Sequence, residues 1–258
     1  MGRLVTGKLT VIGLGPGSAG QLTPEASDAL YAADMVFGYG PYLDRVPEQA
    51  GQQRRGSDNR QEIDRAAQAL TEAAQGAKVA VVSGGDPGVF AMAAAVCEAL
   101  EAGPAAWREL DLAILPGITG MLAVAARVGA PLGHDFCAMS LSDNLKPWSL
   151  VERRLRAAAG AGFVIAVYNP ISRARPWQLD KAFQILREHL PAATPVVFGR
   201  AVGRADERVH VTELSAADGS EADMATCVII GSAETRAVQR PNRSALIYTP
   251  RSNSAPDT

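Results

Sequence analysis

The stretch VAVVSGGDPGVF, residues 79–90, decides the fold. Its apolar start predicts a short buried strand over residues 78–82. The strand breaks at two glycines, Asp86 and a proline, and an alanine-rich run over residues 90–100 predicts a helix. Adjacent glycines lack a Cβ, so the backbone of this loop can approach another group closely. A carboxylate at the carboxyl end of a strand favours a ligand site in an open α/β sheet, the alternative being a tight turn without a ligand.

Three further loops of similar make-up extend the pattern. They are GLGPG at residues 13–17, PGITG at 116–120 and YNPISRAR at 168–175, and each follows a predicted strand. Because such loops gather at one edge of an open α/β sheet, we expect them to lie together. Backbone amides, carbonyls and one carboxylate suit a neutral or zwitterionic ligand better than a polyphosphate. The sequence therefore predicts a small-molecule site between two domains.

Strand-like and helix-like segments alternate along the chain and predict two α/β domains. The predicted domains are residues 1–116 and 117–240, followed by a tail over 241–258 that we expect to fray from residue 250 onwards. The predicted strands are residues 9–12, 78–82, 110–115, 136–141, 163–168, 195–199, 208–212 and 226–230. The predicted helices are residues 24–33, 60–75, 90–100, 121–128, 147–159 and 177–190.

Composition excludes several classes of protein. The chain has 258 residues, of which 47% are hydrophobic and 20% charged, values that are ordinary for a globular protein. Its formal net charge of -2 argues against a surface for nucleic acid, no apolar run is as long as a membrane span, and the first residues lack the features of a signal peptide. Three dispersed cysteines indicate a reducing cytoplasm, and neither they nor the three histidines have metal-ligand spacing. We therefore predict a cytoplasmic protein without metal, membrane or nucleic-acid partners.

The loop at residues 13–17 invites comparison with the dinucleotide fingerprint G-x-G-x-x-G. Gly13 and Gly15 match its first two glycines, but Ser18 stands at the third position. The following helix is predicted to begin only near Pro24, too late for its amino terminus to meet a pyrophosphate. These departures disfavour a nicotinamide-dependent dehydrogenase. A ligand-binding protein without catalytic activity stays open as an alternative.

Five segments, taken in order, resemble the tetrapyrrole (corrin and porphyrin) methylases. They are VIGLGPG at residues 11–17, SGGDPG at 83–88, LPGITG at 115–120, VYNP at 167–170 and TCVIIG at 226–231. Within this family, the segments SLSDNLKPW at 140–148, YNPISR at 168–173 and FGYGPYL at 37–43 look most like the members that methylate C-17 of precorrin-3B and contract its ring in cobalamin biosynthesis. Sister members that act on another precorrin or on cobalt-factor III are the alternative, and more distant relatives modify diphthamide or ribosomal RNA.

The resemblance implies two α/β domains of the tetrapyrrole methylase type, with S-adenosyl-L-methionine in the cleft between them and S-adenosyl-L-homocysteine as product. It also implies a homodimer. Carried over by motif, the cofactor-binding residues are Pro16, Gly84, Gly85, Asp86, Val89, Thr119, Gly120, Asn169, Ala201, Val202 and Thr226. For Asp86 the alternative is a helix cap at Pro87.

The substrate implied by the resemblance carries many acetate and propionate groups, which basic side chains bind well. Arg173, Arg175 and Lys146 are the predicted substrate-binding residues, with Arg54 and Arg55 as weaker candidates. His134 is a weaker candidate for acid-base chemistry, the alternative being a loop histidine without a role. Methyl transfer needs alignment of the reacting atoms more than a strong base, whereas ring contraction needs a positioned proton donor or acceptor. Asp143, Lys146 and Tyr39 are therefore the predicted catalytic residues.

Overall fold

The computed structural model describes residues 7–58 and 61–252, and the chain divides into two compact units between Gly120 and Met121. The boundary predicted after residue 116 therefore lies just before the observed division. Fraying was expected over residues 250–258, of which 253–258 lie outside the described residues. No helix among the described residues is both long enough and apolar enough to cross a membrane.

The first unit is a five-stranded parallel sheet in the order β3-β2-β4-β1-β5. Its elements are β1 (Lys8–Gly13), α1 (Pro24–Ala32), β2 (Met35–Tyr39), α2 (Gly40–Leu43), β3 (Gln53–Ser57), α3 (Glu62–Ala74), β4 (Lys78–Ser83), α4 (Met92–Ala102) and β5 (Asp111–Leu115). Helix α1 begins as predicted, since Thr23 Oγ1 accepts a hydrogen bond from Ala26 N at 3.2 Å and Pro24 occupies the first helical position.

Alternation along the central strands gives the first sheet two buried faces. Leu9 and Val81 point to the face covered by α3 and α4, whereas Ile12 and Val82 belong to the cluster that includes α1. Because successive side chains in a strand point to opposite faces, a strand buried on both faces is apolar throughout. This explains why the run over residues 79–82 carries the fold signal.

The second unit contains a five-stranded mixed sheet in the order β10-β9-β11-β8-β7, in which β7 and β8 are parallel neighbours and the other neighbouring pairs are antiparallel. The elements from residue 120 onwards are α5 (Gly120–Val128), β6 (Gly129–Ala130), β7 (Phe136–Ser140), α6 (Trp148–Gly160), β8 (Val164–Tyr168), α7 (Gln178–Leu186), β9 (Pro195–Arg200), β10 (Arg208–Glu213), β11 (Thr226–Ile230), β12 (Arg236–Arg240) and β13 (Arg243–Tyr248). Helices α6 and α7 cover one face and α5 the other.

The predicted tail from residue 241 is wrong in its first part. Strand β13 pairs antiparallel with β12 across a turn at Asn242, whose φ is 57°, and parallel with β6. Ile247 is buried in the core beside α5, and Thr249 Oγ1 donates to the carbonyl oxygen of Pro131 at 2.6 Å. The segment is held in place by its pairing with β12 and β6, by the burial of Ile247 and by the hydrogen bond of Thr249.

Two further differences from the predicted elements have local causes. Helix α4 begins at Met92 rather than at Phe90, because Phe90 has a φ of 52° and is therefore not helical. Strand β3 was not predicted, since its sequence QRRGS has no apolar residue. It forms an edge of the first sheet by pairing with β2 alone, a position that does not require an apolar face.

Candidate active site

Three loops interlock at the carboxyl ends of the adjacent strands β4, β1 and β5. Gly15 and Gly85 exchange backbone hydrogen bonds of 3.1 Å (Gly15 N to Gly85 O) and 2.9 Å (Gly85 N to Gly15 O). Leu14 N donates to Ser83 O at 2.9 Å. In the first unit the loops at residues 13–17, 83–88 and 116–120 are therefore brought together at one edge, as the sequence predicts.

Asp86 joins the second of these loops to the third. Its Oδ1 accepts a hydrogen bond from Gly88 N at 2.8 Å, and its Oδ2 accepts one from Gly117 N at 3.1 Å. Helix α4 starts several residues later, so Asp86 does not cap it. Two amide donors on different loops fix the orientation of this carboxylate.

The glycines of these loops are required by contacts between the loops themselves. A Cβ on Gly117 would lie 2.3 Å from Gly85 O, and one on Gly13 would lie 2.7 Å from Gly117 N. A Cβ on Gly84 would lie 2.7 Å from the ring of Tyr42. Each distance is too short for a carbon atom. The glycine pattern therefore reports the interlocking of backbone segments as much as the approach of a ligand.

The segment around α2 supports the same edge. Tyr39, a predicted catalytic residue, ends β2 and is half-buried, with its ring 5.5 Å from that of Tyr42 in an edge-to-face contact. Arg45 donates from Nη2 to Gly15 O at 2.7 Å and to Leu14 O at 3.1 Å. The sequence does not predict the supporting roles of Tyr42 and Arg45, although Tyr42 lies within the motif FGYGPYL. Arg45 contacts the loop after β1, and Tyr42 lies against Gly84 in the loop after β4. No sequence-spacing rule identifies contacts between loops that follow different strands.

The remaining predicted cofactor residues of the first unit surround these contacts. Val89 N donates to Asp86 O at 3.3 Å, and the next residue, Phe90, has a left-handed backbone. Thr119 is buried, whereas Pro16 and Gly120 are partly exposed. All seven predicted cofactor positions of the first unit thus lie after the carboxyl ends of β1, β4 or β5.

In the second unit, two predicted cofactor residues have strained backbones. Asn169 has a φ of 48° and Ala201 a φ of 50°, a conformation that non-glycine residues seldom adopt. Asn169 Nδ2 donates to Ser140 Oγ at 3.0 Å, and Ala201 N donates to Ala225 O at 2.9 Å. Such strain is concentrated at functional sites, where the surrounding structure enforces it.

Val202 and Thr226 lie near these residues in the second unit and are buried. Thr226 Oγ1 donates to Asp223 Oδ1 at 2.9 Å, and Arg200 Nε donates to Asp223 Oδ2 at 2.7 Å. Ala201 follows β9, and Thr226 starts the neighbouring strand β11. The pairing of β9 with β11 therefore brings these predicted positions together.

Asp143 and Arg175 form the centre of a polar cluster on the loops after β7 and β8. Arg175 Nη1 donates to Asp143 Oδ1 at 2.5 Å and to Asn144 Oδ1 at 2.8 Å. Gln178, which is buried, donates from Nε2 to the same Asp143 oxygen at 2.9 Å. The hydrogen bond from Arg175 lowers the pKa of Asp143 below its ordinary value. Asp143 is therefore an anion near neutral pH. Arg175 Nη1 is occupied by hydrogen bonds within the protein, which leaves fewer of its N–H groups for a substrate.

Lys146 closes the loop that carries Asp143. Its Nζ donates to Ser142 O at 3.0 Å, and its side chain is half-buried. Burial lowers the pKa of Lys146, and the positive charge of Arg154 lowers it further. Arg173, on the neighbouring loop, is exposed. The structure thus brings Asp143, Lys146 and Arg175 together in the second unit, whereas Tyr39 belongs to the first.

The weaker candidates from the sequence have partners within their own units. Arg54 donates from Nη2 to Val46 O at 2.5 Å, and Arg55 donates to Gln53 Oε1 at 3.2 Å. His134 Nδ1 accepts from Asp135 N at 2.7 Å. Within the described residues, no three His, Cys, Asp or Glu side chains are grouped so as to hold a metal ion.

A parallel sheet with interlocked loops at its carboxyl edge, followed by a mixed sheet with a polar cluster, is typical of α/β enzymes that act on small molecules. The chain belongs to the tetrapyrrole (corrin/porphyrin) methylases, whose family profile matches residues 8–218. It is a methyltransferase of the two-domain α/β type, so the family and the fold class predicted from the sequence are confirmed.

Three relatives place the chain within the family. It is 65% identical to the precorrin-3B C(17)-methyltransferase of Sinorhizobium sp, over 96% of this chain and 97% of that one. It is 40% identical to the probable cobalt-factor III C(17)-methyltransferase of Salmonella typhimurium, over 94% of this chain and 98% of the relative. A crystal structure of the methyltransferase CobJ, 49% identical, superposes with a TM-score of 0.90 and covers 95% of this chain and all 100% of its own.

Proposed function

We propose that this protein transfers a methyl group from S-adenosyl-L-methionine to C-17 of precorrin-3B, with contraction of the ring, in cobalamin biosynthesis. The observation that carries the proposal is the 65% identity, over almost the whole chain, to the enzyme that bears this name in Sinorhizobium sp. Identity to the cobalt-factor III relative is lower, at 40%. The difference favours the metal-free precursor over its cobalt-containing counterpart as substrate.

The interlocked loops of the first unit are proposed to hold the cofactor, which supplies an activated methyl group when bound. Small residues and backbone amides at Gly84, Gly85, Thr119 and Gly120 suit the adenine and methionine parts of such a molecule. Asp86 keeps these loops in place through two backbone amides. Pro16 and Val89 in the first unit, and Asn169, Ala201, Val202 and Thr226 in the second, remain proposed cofactor contacts.

The side chains of the polar cluster are proposed to bind and protonate the substrate. Lys146 and Arg173 present cationic groups to its carboxylates. The chemical demand on the protein is mainly alignment, since positioning alone supplies effective molarities of about 10⁵ M or more. Asp143 is ionised and held by Arg175, and its lowered pKa makes it both a poor proton donor and a weak proton acceptor. The proton transfers of ring contraction are therefore assigned to Lys146 and Tyr39.

A competition assay tests the substrate assignment. Purified protein would receive S-adenosyl-L-methionine with equal amounts of precorrin-3B and cobalt-factor III, and mass spectrometry would follow each tetrapyrrole. We expect precorrin-3B to gain one methyl group and to change its absorption spectrum, with S-adenosyl-L-homocysteine released. Preferential methylation of cobalt-factor III would instead identify the sister activity. Failure to bind S-adenosyl-L-homocysteine in a calorimetric control would contradict the cofactor assignment.

The oligomeric state and the cellular location also remain proposals. The family resemblance supports a homodimer, and the dispersed cysteines support a cytoplasmic location. The thiols of Cys97, Cys137 and Cys227 are all free in the structure. Analytical ultracentrifugation of the purified protein would test the first proposal, and fractionation of the source cells would test the second.

A further inference from the structure

Leu145 is an apolar side chain presented to solvent on an anchored loop. It lies between β7 and α6 and is 95% exposed. On one side of it, Asn144 Oδ1 accepts from Arg175 Nη1 at 2.8 Å, and on the other, Lys146 Nζ donates to Ser142 O at 3.0 Å. A single exposed leucine is ordinary. The residues that surround Leu145 decide whether it has a role.

Trp177 supplies a second apolar surface next to this loop. It directly precedes α7 and is 44% exposed. Its ring meets that of Trp148 edge-to-face at 4.9 Å, and Trp148 Nε1 donates to Glu152 Oε1 at 2.8 Å, so the pair of indoles has a fixed orientation. Trp148 is also close to Leu145 along the chain. Leu145 and Trp177 are thus carried by neighbouring segments of one unit.

Two polar links join these segments to each other. Arg175 connects to Asn144, and Gln178, next to Trp177, connects to Asp143 at 2.9 Å. Gln178 is only 1% exposed, so the hydrogen bond from its amide to Asp143 is buried and shielded from water. The two segments that carry Leu145 and Trp177 are therefore held together by the polar cluster. A preorganised surface loses little conformational entropy when a ligand binds.

The loops that carry Leu145 and Trp177, residues 141–147 and 169–177, hold three cationic side chains and one carboxylate. Arg175 compensates the carboxylate of Asp143, which leaves Lys146 and the exposed Arg173 as the further cationic groups of these two loops. An apolar surface with cations at its margin complements a flat, conjugated ligand that carries carboxylates on its periphery. A tetrapyrrole with acetate and propionate side chains has this chemistry.

We propose that Leu145 and Trp177 contact one face of the tetrapyrrole macrocycle, while Lys146 and Arg173 bind carboxylates at its edge. This inference rests on the proposed function for the identity of the substrate, and it adds two binding residues to that site. Leu145 and Trp177 act in substrate binding and take no part in cofactor binding or proton transfer.

The test compares Leu145→Ser and Trp177→Ser with the conservative variant Leu145→Met. Uroporphyrin III, a stable tetrapyrrole with the same kinds of carboxylate, serves as the binding probe, and its Kd is measured by absorption titration. Loss of a buried leucine contact predicts a Kd about tenfold higher for Leu145→Ser. We expect the KM for precorrin-3B to rise by a similar factor and the Kd for S-adenosyl-L-homocysteine to be unchanged. Leu145→Met keeps an apolar side chain at this position and should bind uroporphyrin III as the unmodified protein does. Leu246→Ser, at an exposed leucine of β13, is the matched control and leaves every value unchanged.

Two results would overturn the proposal. One is an unchanged Kd and KM in both serine variants, with cofactor binding and thermal unfolding showing that they are folded. The other is a change of sedimentation coefficient in Leu145→Ser without any change in tetrapyrrole binding, which would make this surface a contact with a second copy of the chain. If the unmodified protein fails to methylate precorrin-3B, the proposed function fails, whereas the uroporphyrin titration still decides the role of Leu145 and Trp177.

Discussion

At the scale of single residues, Asp86 illustrates how a motif residue acquires its role from a distant part of the chain. Its position after β4 could be predicted from the sequence alone. Its bond to Gly117 could not, because the partner lies 31 residues away and is brought close only by the pairing of β4 and β5 with β1. The same limit applies to Gln178, whose amide reaches Asp143 across 35 residues.

We predict that Asp86→Asn weakens cofactor binding. The amide keeps one acceptor oxygen but loses the negative charge, so one of the bonds to Gly88 and Gly117 is lost and the other weakened. Hydrogen bonds to a charged group contribute about 1.5–3 kcal/mol each, which corresponds to roughly a tenfold or greater rise in Kd. Isothermal titration calorimetry with S-adenosyl-L-homocysteine measures the change.

Asp218→Asn is the control for this variant. Asp218 Oδ1 accepts from Ser220 N at 2.7 Å, a local turn of the same chemistry in the second unit. We expect it to leave the Kd for S-adenosyl-L-homocysteine unchanged. Equal Kd values for Asp86→Asn and the unmodified protein would show that the anchoring of these loops does not control cofactor binding.

Lys146 leads to a prediction about pH. Burial lowers its pKa, so the ammonium loses its proton at a pH below the ordinary lysine value of about 10.4. If the ammonium binds a carboxylate or donates a proton, kcat/KM for precorrin-3B falls as the pH rises through this lowered pKa. Lys146→Arg keeps its charge at higher pH and should lack this alkaline decrease. Persistence of the same decrease in Lys146→Arg would assign it to another group.

At the scale of elements, the loops after β1, β4 and β5 behave as one interlocked unit, and Gly117→Ala tests this. Its Cβ would lie 2.3 Å from Gly85 O, so one backbone segment must move. Overpacking of this kind lowers the free energy of unfolding by about 1–3 kcal/mol. We also expect weaker binding of S-adenosyl-L-homocysteine. Both effects are measured by denaturant unfolding and calorimetry.

Gly160→Ala is the matched substitution in an open position. Gly160 ends α6, and nothing lies within 4 Å of a Cβ placed there. Alanine favours a helix over glycine by up to about 1 kcal/mol, so this variant should be as stable as the unmodified protein or more so. A Gly117→Ala protein that unfolds at the same denaturant concentration as Gly160→Ala would contradict the interlocking of the loops.

The hairpin of β12 and β13 gives a second prediction at this scale. Thr249 Oγ1 donates to Pro131 O at 2.6 Å and lies 2.9 Å from Thr235 Oγ1, and all these atoms are buried. Thr249→Val leaves a buried carbonyl without its donor, which should lower the free energy of unfolding by about 1–3 kcal/mol.

The exposed Thr71 on α3 makes a similar hydroxyl bond, to Ala67 O at 2.8 Å, and provides the comparison for Thr249→Val. We expect Thr71→Val to change the free energy of unfolding by less than about 0.5 kcal/mol, because water replaces the lost donor at an exposed site. Equal stability of the two valine variants would mean that the hairpin does not contribute to the fold as its burial indicates.

The central strands that sequence reasoning identified share one property, which is that their side chains lie in a buried apolar core. Central strands such as β4 and β8 are apolar because the core requires it, and their sequences show this directly. The edge strand β3 is exposed or half-buried throughout, and the hairpin β12–β13 is mostly exposed apart from Ile247, so their sequences carry a weaker signal. The turn at Asn242, between Arg240 and Arg243, was the available clue to the hairpin.

At the scale of the whole molecule, family and fold could be predicted because five motif segments occur in order along most of the chain. The chemistry within the site could not be predicted equally well. Which cations are available to a substrate depends on side-chain partners, and Arg175, a predicted substrate ligand, donates to Asp143 and Asn144. The sequence identifies the loops, whereas the structure identifies which of their side chains are already hydrogen-bonded within the protein.

The position of the transferred methyl group tests the central claim most directly. The unmodified protein would be incubated with precorrin-3B and S-adenosyl-L-methionine that carries an isotope label in its methyl group, and the product would be examined by nuclear magnetic resonance. We predict a single labelled methyl group on C-17 of a ring-contracted product. A label on another ring carbon, or an unlabelled precorrin-3B despite binding of the cofactor, would contradict the proposed function.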